Sequence, residues 1–513
     1  MSSWTAGYVS EVAYTHGYYR ELSPNLIDFA LLCSQQRHRS GRPRRYLELG
    51  FGQGVSLAIH AAACSGEFWG TDFNPVHASN ARDLAESIGA TVRIFDDSFG
   101  EFAKREDLPE FDVITLHGIW SWINDDNRRI LVDLIRRRLA VGGVVYVSYN
   151  VTPGWSMAMP LRHLMSLHVE TATEKSRPIT DRIDSALDFA KAVANAGSSF
   201  FRQNPSLVHR LDSMKGQDHA YLAHEYFNAD WHPMAFSEAH EFLQEAKLSY
   251  AGSAYLPDQI HSINLTADAR KMLAGLSNPV LRETVRDYFT GSQFRRDLWV
   301  KGARPIDSFE QNQKLFEMRF TLVSALKNLP TSVQTPMGQA GLQKEIYEPL
   351  GAAMAEDGYK PKTMQQLCDR LPGIEKPALY QALLILCGYG HAAPCQCEAE
   401  VEANAEKCRR FNSHLLREAY FNSTPAYLAS PVIGAGIMLP KASLWVLREM
   451  QAGVADTERM VESIWANLAS RNQRMARDGQ ALDTPEANKA EIRQLITTMD
   501  ADTLPLLRSL RLI

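Results

Sequence analysis

Three glycines at alternate positions, Gly50, Gly52 and Gly54 in "YLELGFGQG", stand where a short apolar run gives way to a helical pattern. Glycine at such a turn lets a ligand lie close against the backbone. The spacing is G-x-G-x-G, whereas a dinucleotide fingerprint needs glycine at 55, where Val55 stands. That favours a ligand with no pyrophosphate to seat on the following helix. Asp72 in "GTDFNP" ends a second apolar run, a position from which a carboxylate accepts both hydroxyls of a ribose. Asp97 in "DDSFGEF" follows a third, where its carboxylate suits an adenine amino group and the backbone N–H of Ser98 a ring nitrogen. "LHGIWSWIN" (116–124) then puts His117, Trp120 and Trp122 just ahead of the acidic pair Asp125 and Asp126, either as core or as the rim of a pocket.

These residues need a frame of alternating elements. "LSPNLIDFALLC" opens a helix with Ser23 as N-cap and Pro24 at the first helical position. Residues 45–50, 67–73, 91–95, 111–118 and 143–150 read as strands, with helices at 55–64, 76–89 and 126–140 between them. Such alternation implies a parallel sheet covered on both faces, with its ligand beyond the carboxyl ends of the strands. The fold class is therefore α/β, with a Rossmann-like sheet. Residues 1–155 are its ligand-binding core, and 156–222, amphipathic and helical, interrupt it as a lid, a substrate wall or a homodimer contact. The segment 223–270 closes the sheet, with a helix and strand in "FSEAHEFLQEAKLSYAGSAYL" (236–256) and a last strand in "HSINLT" (261–266). Residues 271–513 form a mainly α-helical region whose order at 340–395 is winged-helix-like.

A chain of 513 residues holds about three units at ~100–200 residues each. A net charge of −5 gives no overall drive toward nucleic acid, and the basic clusters at 37–45 and Arg136–Arg138 read as a solvated loop and a helix end. The third helix of the winged order, "KPALYQALLILCG", offers only Lys376 and Gln381 to base edges, so protein contact suits it better. The acidic run 398–406 reads as a solvated helix. No run approaches the ~18 apolar residues of a membrane span. Seven scattered cysteines and a polar start imply a reducing, cytoplasmic setting. His391, Cys395, Cys397 and Cys408 lie close in sequence, but their spacing is wrong for a structural zinc site, and no metal is expected.

"YLELGFGQG", "GTDFNP", "DDSFGEF" and "FDVITLHG", in this order, resemble the motifs of class I S-adenosylmethionine-dependent methyltransferases. The resemblance implies S-adenosyl-L-methionine as cofactor. Glu48 would approach its amino-acid part, Gly50, Gly52 and Gly54 its methionine backbone, Asp72 the ribose, and Asp97 with Ser98 the adenine. "AHEYFNADWHPMAFSEAHEFLQEAKLSYAGSAYLPDQ" (223–259) resembles the methyltransferase regulatory domain of a bacterial subset that includes lysine methyltransferases acting on outer-membrane proteins. The methyl group should then face the ends of the fourth and fifth strands, where Trp120, Trp122, Tyr149 and Trp155 would wall an acceptor pocket. His117 would lend its carbonyl near the methyl group or act as base. Tyr14, Tyr18 and Tyr19 either fold over the cofactor or pack on helices. "HGIW" stands where enzymes acting on planar nitrogens carry an Asp/Asn-Pro-Pro-aromatic motif, which argues against DNA bases and glutamine. The preferred acceptor is a protein lysine, whose proton Tyr149, His117 or Asp125 would help remove. An O-methyltransferase of a surface sugar or small metabolite, and a cofactor-binding adaptor without turnover, stay open.

Overall fold

The computed structural model describes residues 16–37, 44–89, 92–174, 176–421 and 425–513. Tyr14 and most of the basic loop at 37–45 lie outside them. Seven strands form the main sheet: β1 (Arg44–Leu49), β2 (Gly66–Thr71), β3 (Val92–Phe95), β4 (Phe111–Leu116), β5 (Leu139–Asn150), β6 (Leu248–Ser253) and β7 (Phe294–Lys301), in the order β3-β2-β1-β4-β5-β7-β6. β1 to β5 run parallel, and β7 lies antiparallel to both β5 and β6.

Between the parallel strands run α2 (Val55–Ala63), α3 (Pro75–Ile88), the short α4 (Phe99–Phe102) and α5 (Asp125–Arg138), and α1 (Pro24–Cys33) precedes the sheet. Every residue of α2 is buried, the signature of a helix with no solvent face. Its outer side is covered by the C-terminal helix Glu398–Arg417, whose Lys407 ammonium donates to the carbonyls of Ala61 (2.9 Å) and Cys64 (2.8 Å) at the end of α2. A cation there satisfies orphan carbonyls and complements the helix dipole. The acidic run 398–406 is the first half of this helix, with Val401 and Asn404 turned inward. Ser23 sits at the start of α1 as expected, but its hydroxyl donates to the Gly434 carbonyl (3.0 Å) instead of capping the helix. The C-terminal region is thus tied to the sheet domain by polar contacts as well as by a shared apolar core.

The expected last strand at 261–266 is instead a short helix, His261–Asn264, in which the Asn264 amide donates to the carbonyls of Pro257 and Ile260. The sheet is completed by β7, so it extends past residue 270 to Lys301. Arg295 and Asp297 in "FRRDLWVK" disguise this strand, because such charges suggest solvent and here are buried. The Arg295 guanidinium pairs with Asp297 (2.9 Å), Asp287 (2.9 Å) and Glu283 (3.1 Å) and lies over the Phe236 ring.

Between β5 and β6 the chain leaves the sheet for α6 (Met159–Ala172), α7 (Ile179–Asn195), α8 (Ser199–Gln203), α9 (Ser206–Met214) and α10 (His219–Tyr226), and returns through α11 (Phe236–Gln244). The inserted helices have their own core around Met165, Ile183, Leu187 and Leu211, which also takes in Trp155 and Trp231. The insertion therefore continues through α10, beyond the expected end at 222. Further on, the helices Lys344–Tyr359, Met364–Arg370 and Lys376–Gly388 pack with a small antiparallel sheet of Arg319–Leu322, Lys362–Thr363 and Ala392–Pro394. His391, Cys395, Cys397 and Cys408 do not converge: Cys408 donates to the Ala62 carbonyl and Cys397 is exposed.

Candidate active site

A cavity of about 510 Å³ opens at the carboxyl ends of β1 to β5, within the ~300–1,000 Å³ typical of small-molecule sites. Its floor is the glycine loop. Gly50 has φ +74°, and a Cβ there would meet Ile119 at 2.3 Å, so neither the backbone nor the space admits a side chain. The Gly52 N–H donates to Asp72 Oδ2 (2.8 Å). Gly54 does not line the cavity. It is the left-handed N-cap of α2, where a Cβ would fall 2.4 Å from that of Ala81 on α3, so this glycine serves helix packing.

Asp72, just beyond β2, is buried and held at both oxygens. Besides the Gly52 N–H, its Oδ1 accepts from the Asn74 N–H (3.0 Å) and His77 Nδ1 (3.1 Å). Three of the roughly four acceptor directions of the carboxylate are thereby taken, which leaves room for one further donor rather than two. Asp97, after β3, accepts at Oδ2 from Arg105 Nη1 (3.1 Å), and the guanidinium lies over the Phe95 ring. Ser98 lines the cavity, but its N–H is committed to Glu101 Oε2 (2.9 Å) in a capping box that starts α4, so it is not waiting for a ring nitrogen.

Glu48, on β1, is the buried acid of the site. Its Oε2 has no hydrogen-bond partner among the described residues. Burial first, and then the charge of Asp72, push its carboxyl up to about 8, against some relief from Tyr46. A buried carboxyl with a free oxygen on a cavity wall is a receptor for a cationic donor.

His117 follows β4. Its ring stacks on Tyr19 (3.8 Å between centroids) and its Nδ1 lies 2.8 Å from the Tyr146 hydroxyl. Burial, helped by Arg296, lowers its pKa to about 3, so the imidazole is neutral across the physiological range. Tyr19 lines the cavity; Tyr18 does not, and its hydroxyl accepts from the Gly436 N–H (2.8 Å) of the C-terminal region.

The aromatic pair divides. Trp120–Trp122 is a turn of 3-10 helix rather than an extended segment, and residues two apart in such a turn point to different sides. Trp120 is fully buried against Phe242, whereas Trp122 lines the cavity. Tyr149 is likewise turned away: on β5 it shares the inward face with Val145 and Val147, and its hydroxyl donates to Asp297 Oδ2 (2.7 Å). Asn150, its neighbour, reaches the cavity. Asp125 pairs with Arg128 and does not line the cavity.

The insertion supplies residues that sequence reasoning did not single out: Tyr221, Glu225 and Asp230. Their signal lies in "AYLAHEYFNADW", where acids and aromatics alternate at helical spacing on the face that carries Tyr221 and Glu225. Trp155 lines the cavity beside them, packed edge-on against Trp231 (5.1 Å), which in turn lies near Trp122 (6.3 Å). The cavity wall thus carries Glu48, Asp72, Asp97, Glu225 and Asp230 and, among the described residues, no lysine or arginine.

The sheet order, a glycine loop after β1 and acids after β2 and β3 define a class I methyltransferase, and the cavity fits its cofactor: Glu48 offers an unpaired oxygen to an ammonium and the loop admits a close backbone. Two family models match, a methyltransferase domain over residues 47–143 and a predicted methyltransferase regulatory domain over 218–301. An uncharacterized protein of Synechocystis sp. is 37% identical over 513 residues, 99% of each chain, and one of Rickettsia prowazekii is 23% identical, covering 89% of this chain and 85% of its own. The chain belongs to this family of S-adenosylmethionine-dependent methyltransferases with a regulatory domain. The structure of PKMT2 from Rickettsia typhi in complex with AdoHcy shares its fold along 97% of this chain and 99% of that one, with TM-score 0.70 at 18% identity; a second structure of PKMT2 gives 0.67 at 17%. Among the described residues no helix is long and apolar enough to cross a membrane.

Proposed function

We propose that this methyltransferase modifies a lysine amine of a protein, and that it does so in the cytoplasm. The observation that carries the reading is the cavity's lining of five acidic side chains without, among the described residues, a lysine or arginine. Such a wall favours ligands that are cationic at both ends of the reaction, a sulfonium donor and an ammonium acceptor.

When bound, S-adenosylmethionine would supply a methyl carbon activated by its sulfonium, open to in-line attack by the acceptor with the thioether as leaving group. In this reading Glu48 holds the ammonium of the cofactor's amino-acid part, Gly50 and Gly52 leave space for its backbone, Asp72 takes a ribose hydroxyl and Asp97 the adenine amino group. Gly54 and Ser98 act indirectly, by starting α2 and α4. His117 closes the site as a neutral plate under Tyr19. With its pKa near 3 it does not take a proton at neutral pH, which weighs against a hydroxyl acceptor that needs a strong base there. Trp122 and Trp155 present aromatic surface to the methylated ammonium, a contact worth ~0.5–2 kcal/mol. Seven free cysteines support a reducing compartment.

The test is transfer of labelled methyl from S-adenosylmethionine into a bacterial lysate, separated into protein, polysaccharide and small-molecule fractions. Label in protein is expected. Label confined to polysaccharide or small molecules would replace the lysine reading with an O-methyltransferase.

A further inference from the structure

Part of the cavity wall is built by the helical insertion, outside the sheet that carries the cofactor motifs. There Glu225 lies one turn beyond Tyr221 on α10, and both line the cavity with Trp155. Glu225 is half-buried, and among the described residues no hydrogen bond or ion pair reaches its carboxylate. Of the other acids on the cavity wall, Glu48 sits on β1 at the cofactor end, where the proposed function gives its open oxygen to the cofactor's ammonium. Asp230 lies 3.5 Å from His232, while Asp72 and Asp97 are held by their own donors at the strand ends. Arg162 of α6, which among the described residues is the cation acting on Glu225, has its guanidinium over the Trp231 ring with Nη2 donating to the Asn228 carbonyl.

Resting on the lysine reading above, we infer that Glu225 receives the acceptor's ammonium and takes its proton. The N–H bond breaks, its electron pair stays on nitrogen as the attacking lone pair, and an O–H bond forms on the carboxylate. The proton then passes to solvent beside Tyr221, which is exposed. The need is chemical: a lysine with a pKa near 10.4 is almost wholly protonated at neutral pH and has no lone pair to offer. Burial, against Arg162, raises the Glu225 carboxyl to about 7, close to the working pH where a proton acceptor is most effective. Of the other groups on this wall among the described residues, Tyr221 is pushed up to about 12, chiefly by burial and then by the Glu225 charge, and stays protonated, and Asp230 and His224 stand beside it.

The experiment titrates n-butylammonium, a lysine side chain without its backbone, into the full chain saturated with S-adenosylhomocysteine, and compares 1-pentanol as the uncharged control. E225Q should weaken n-butylammonium at least ten-fold, leave 1-pentanol and S-adenosylhomocysteine unchanged, and remove the inflection near pH 7 from the rate of protein labelling. E225D, which keeps the charge, should bind n-butylammonium within about three-fold of wild type. Equal n-butylammonium binding by E225Q, or equal losses in E225Q and E225D with cofactor binding intact, overturns the role of the charge. If wild type labels lysine and E225Q does so at the same rate and with the same pH profile, this inference alone falls. If wild type labels no protein, the lysine reading falls and takes Glu225 with it.

Discussion

Replacing Glu48 by glutamine should make the cofactor-free protein more stable and its cofactor binding worse. In the folded chain the carboxyl is raised from 4.5 to about 8, chiefly by burial and then by Asp72. A raised acid binds its proton more tightly folded than unfolded, so its contribution is fully present below pH 4.5 and is lost as pH climbs through about 8. At ~1.36 kcal/mol per pH unit, the loss reaches roughly 5 kcal/mol as an upper bound by pH 9. Glutamine removes this term but buries an amide where Oε2 already lacks a partner, a cost of about 1–3 kcal/mol. The net gain at pH 9 is thus roughly 2–4 kcal/mol, on the order of 2–4 °C in Tm for a chain of 513 residues at ~2.1 cal/mol/K of unfolding entropy per residue, and it vanishes or reverses near pH 4. Melting curves of the cofactor-free wild type and E48Q from pH 4 to 9, paired with S-adenosylmethionine titrations, measure both effects. A Tm difference that does not grow with pH, or full cofactor affinity in E48Q, would refute the placement of Glu48 as a strained receptor for the cofactor's ammonium.

Three further outcomes follow from packing and charge. Trp120→Ala should cost about 3–5 kcal/mol by denaturant melts, as expected for emptying a fully buried tryptophan site, and Trp122→Ala should cost less stability but more labelled-methyl transfer; the reverse pattern would return Trp120 to the acceptor pocket. Arg295→Ala should destabilise by roughly 3–5 kcal/mol, because it strips the partner from Asp287, Asp297 and Glu283; a melt within experimental error of wild type would contradict the buried-network account of β7. His117→Gln should leave the pH profile of methyl transfer without a new inflection near 6.5, since the wild-type imidazole is already neutral there; loss of a wild-type inflection at that pH would make His117 a titrating participant.

The parallel half of the sheet was legible because buried strands alternating with helices of regular length leave one reading, and Gly50, Asp72 and Asp97 fall at predictable strand ends. Trp120 and Trp122 show where that legibility stops: their spacing assigns opposite roles depending on whether the turn is extended or 3-10, and residue types alone do not decide it. β7 was hidden for an electrostatic reason, since Arg295 and Asp297 break the apolar run of a buried strand and are buried only because Arg295 pairs with Asp297, Asp287 and Glu283. Gly54 and Ser98 match the methyltransferase motifs at positions that the local backbone uses for helix starts. Glu225 and Asp230 lie in a stretch whose acids and aromatics recur at helical spacing, but that pattern does not say that the inserted helix packs against the cavity at the strand ends.

The most direct test of the central assignment, that the cavity beyond β1, β2 and β3 holds S-adenosylmethionine, is a calorimetric titration of the cofactor into wild type and Asp72→Ala, with melting curves run alongside. One-to-one binding to wild type is predicted, weakened roughly 10- to 150-fold in the variant, as loss of a charged hydrogen bond of about 1.5–3 kcal/mol implies. Equal affinity in a folded Asp72→Ala protein would contradict it.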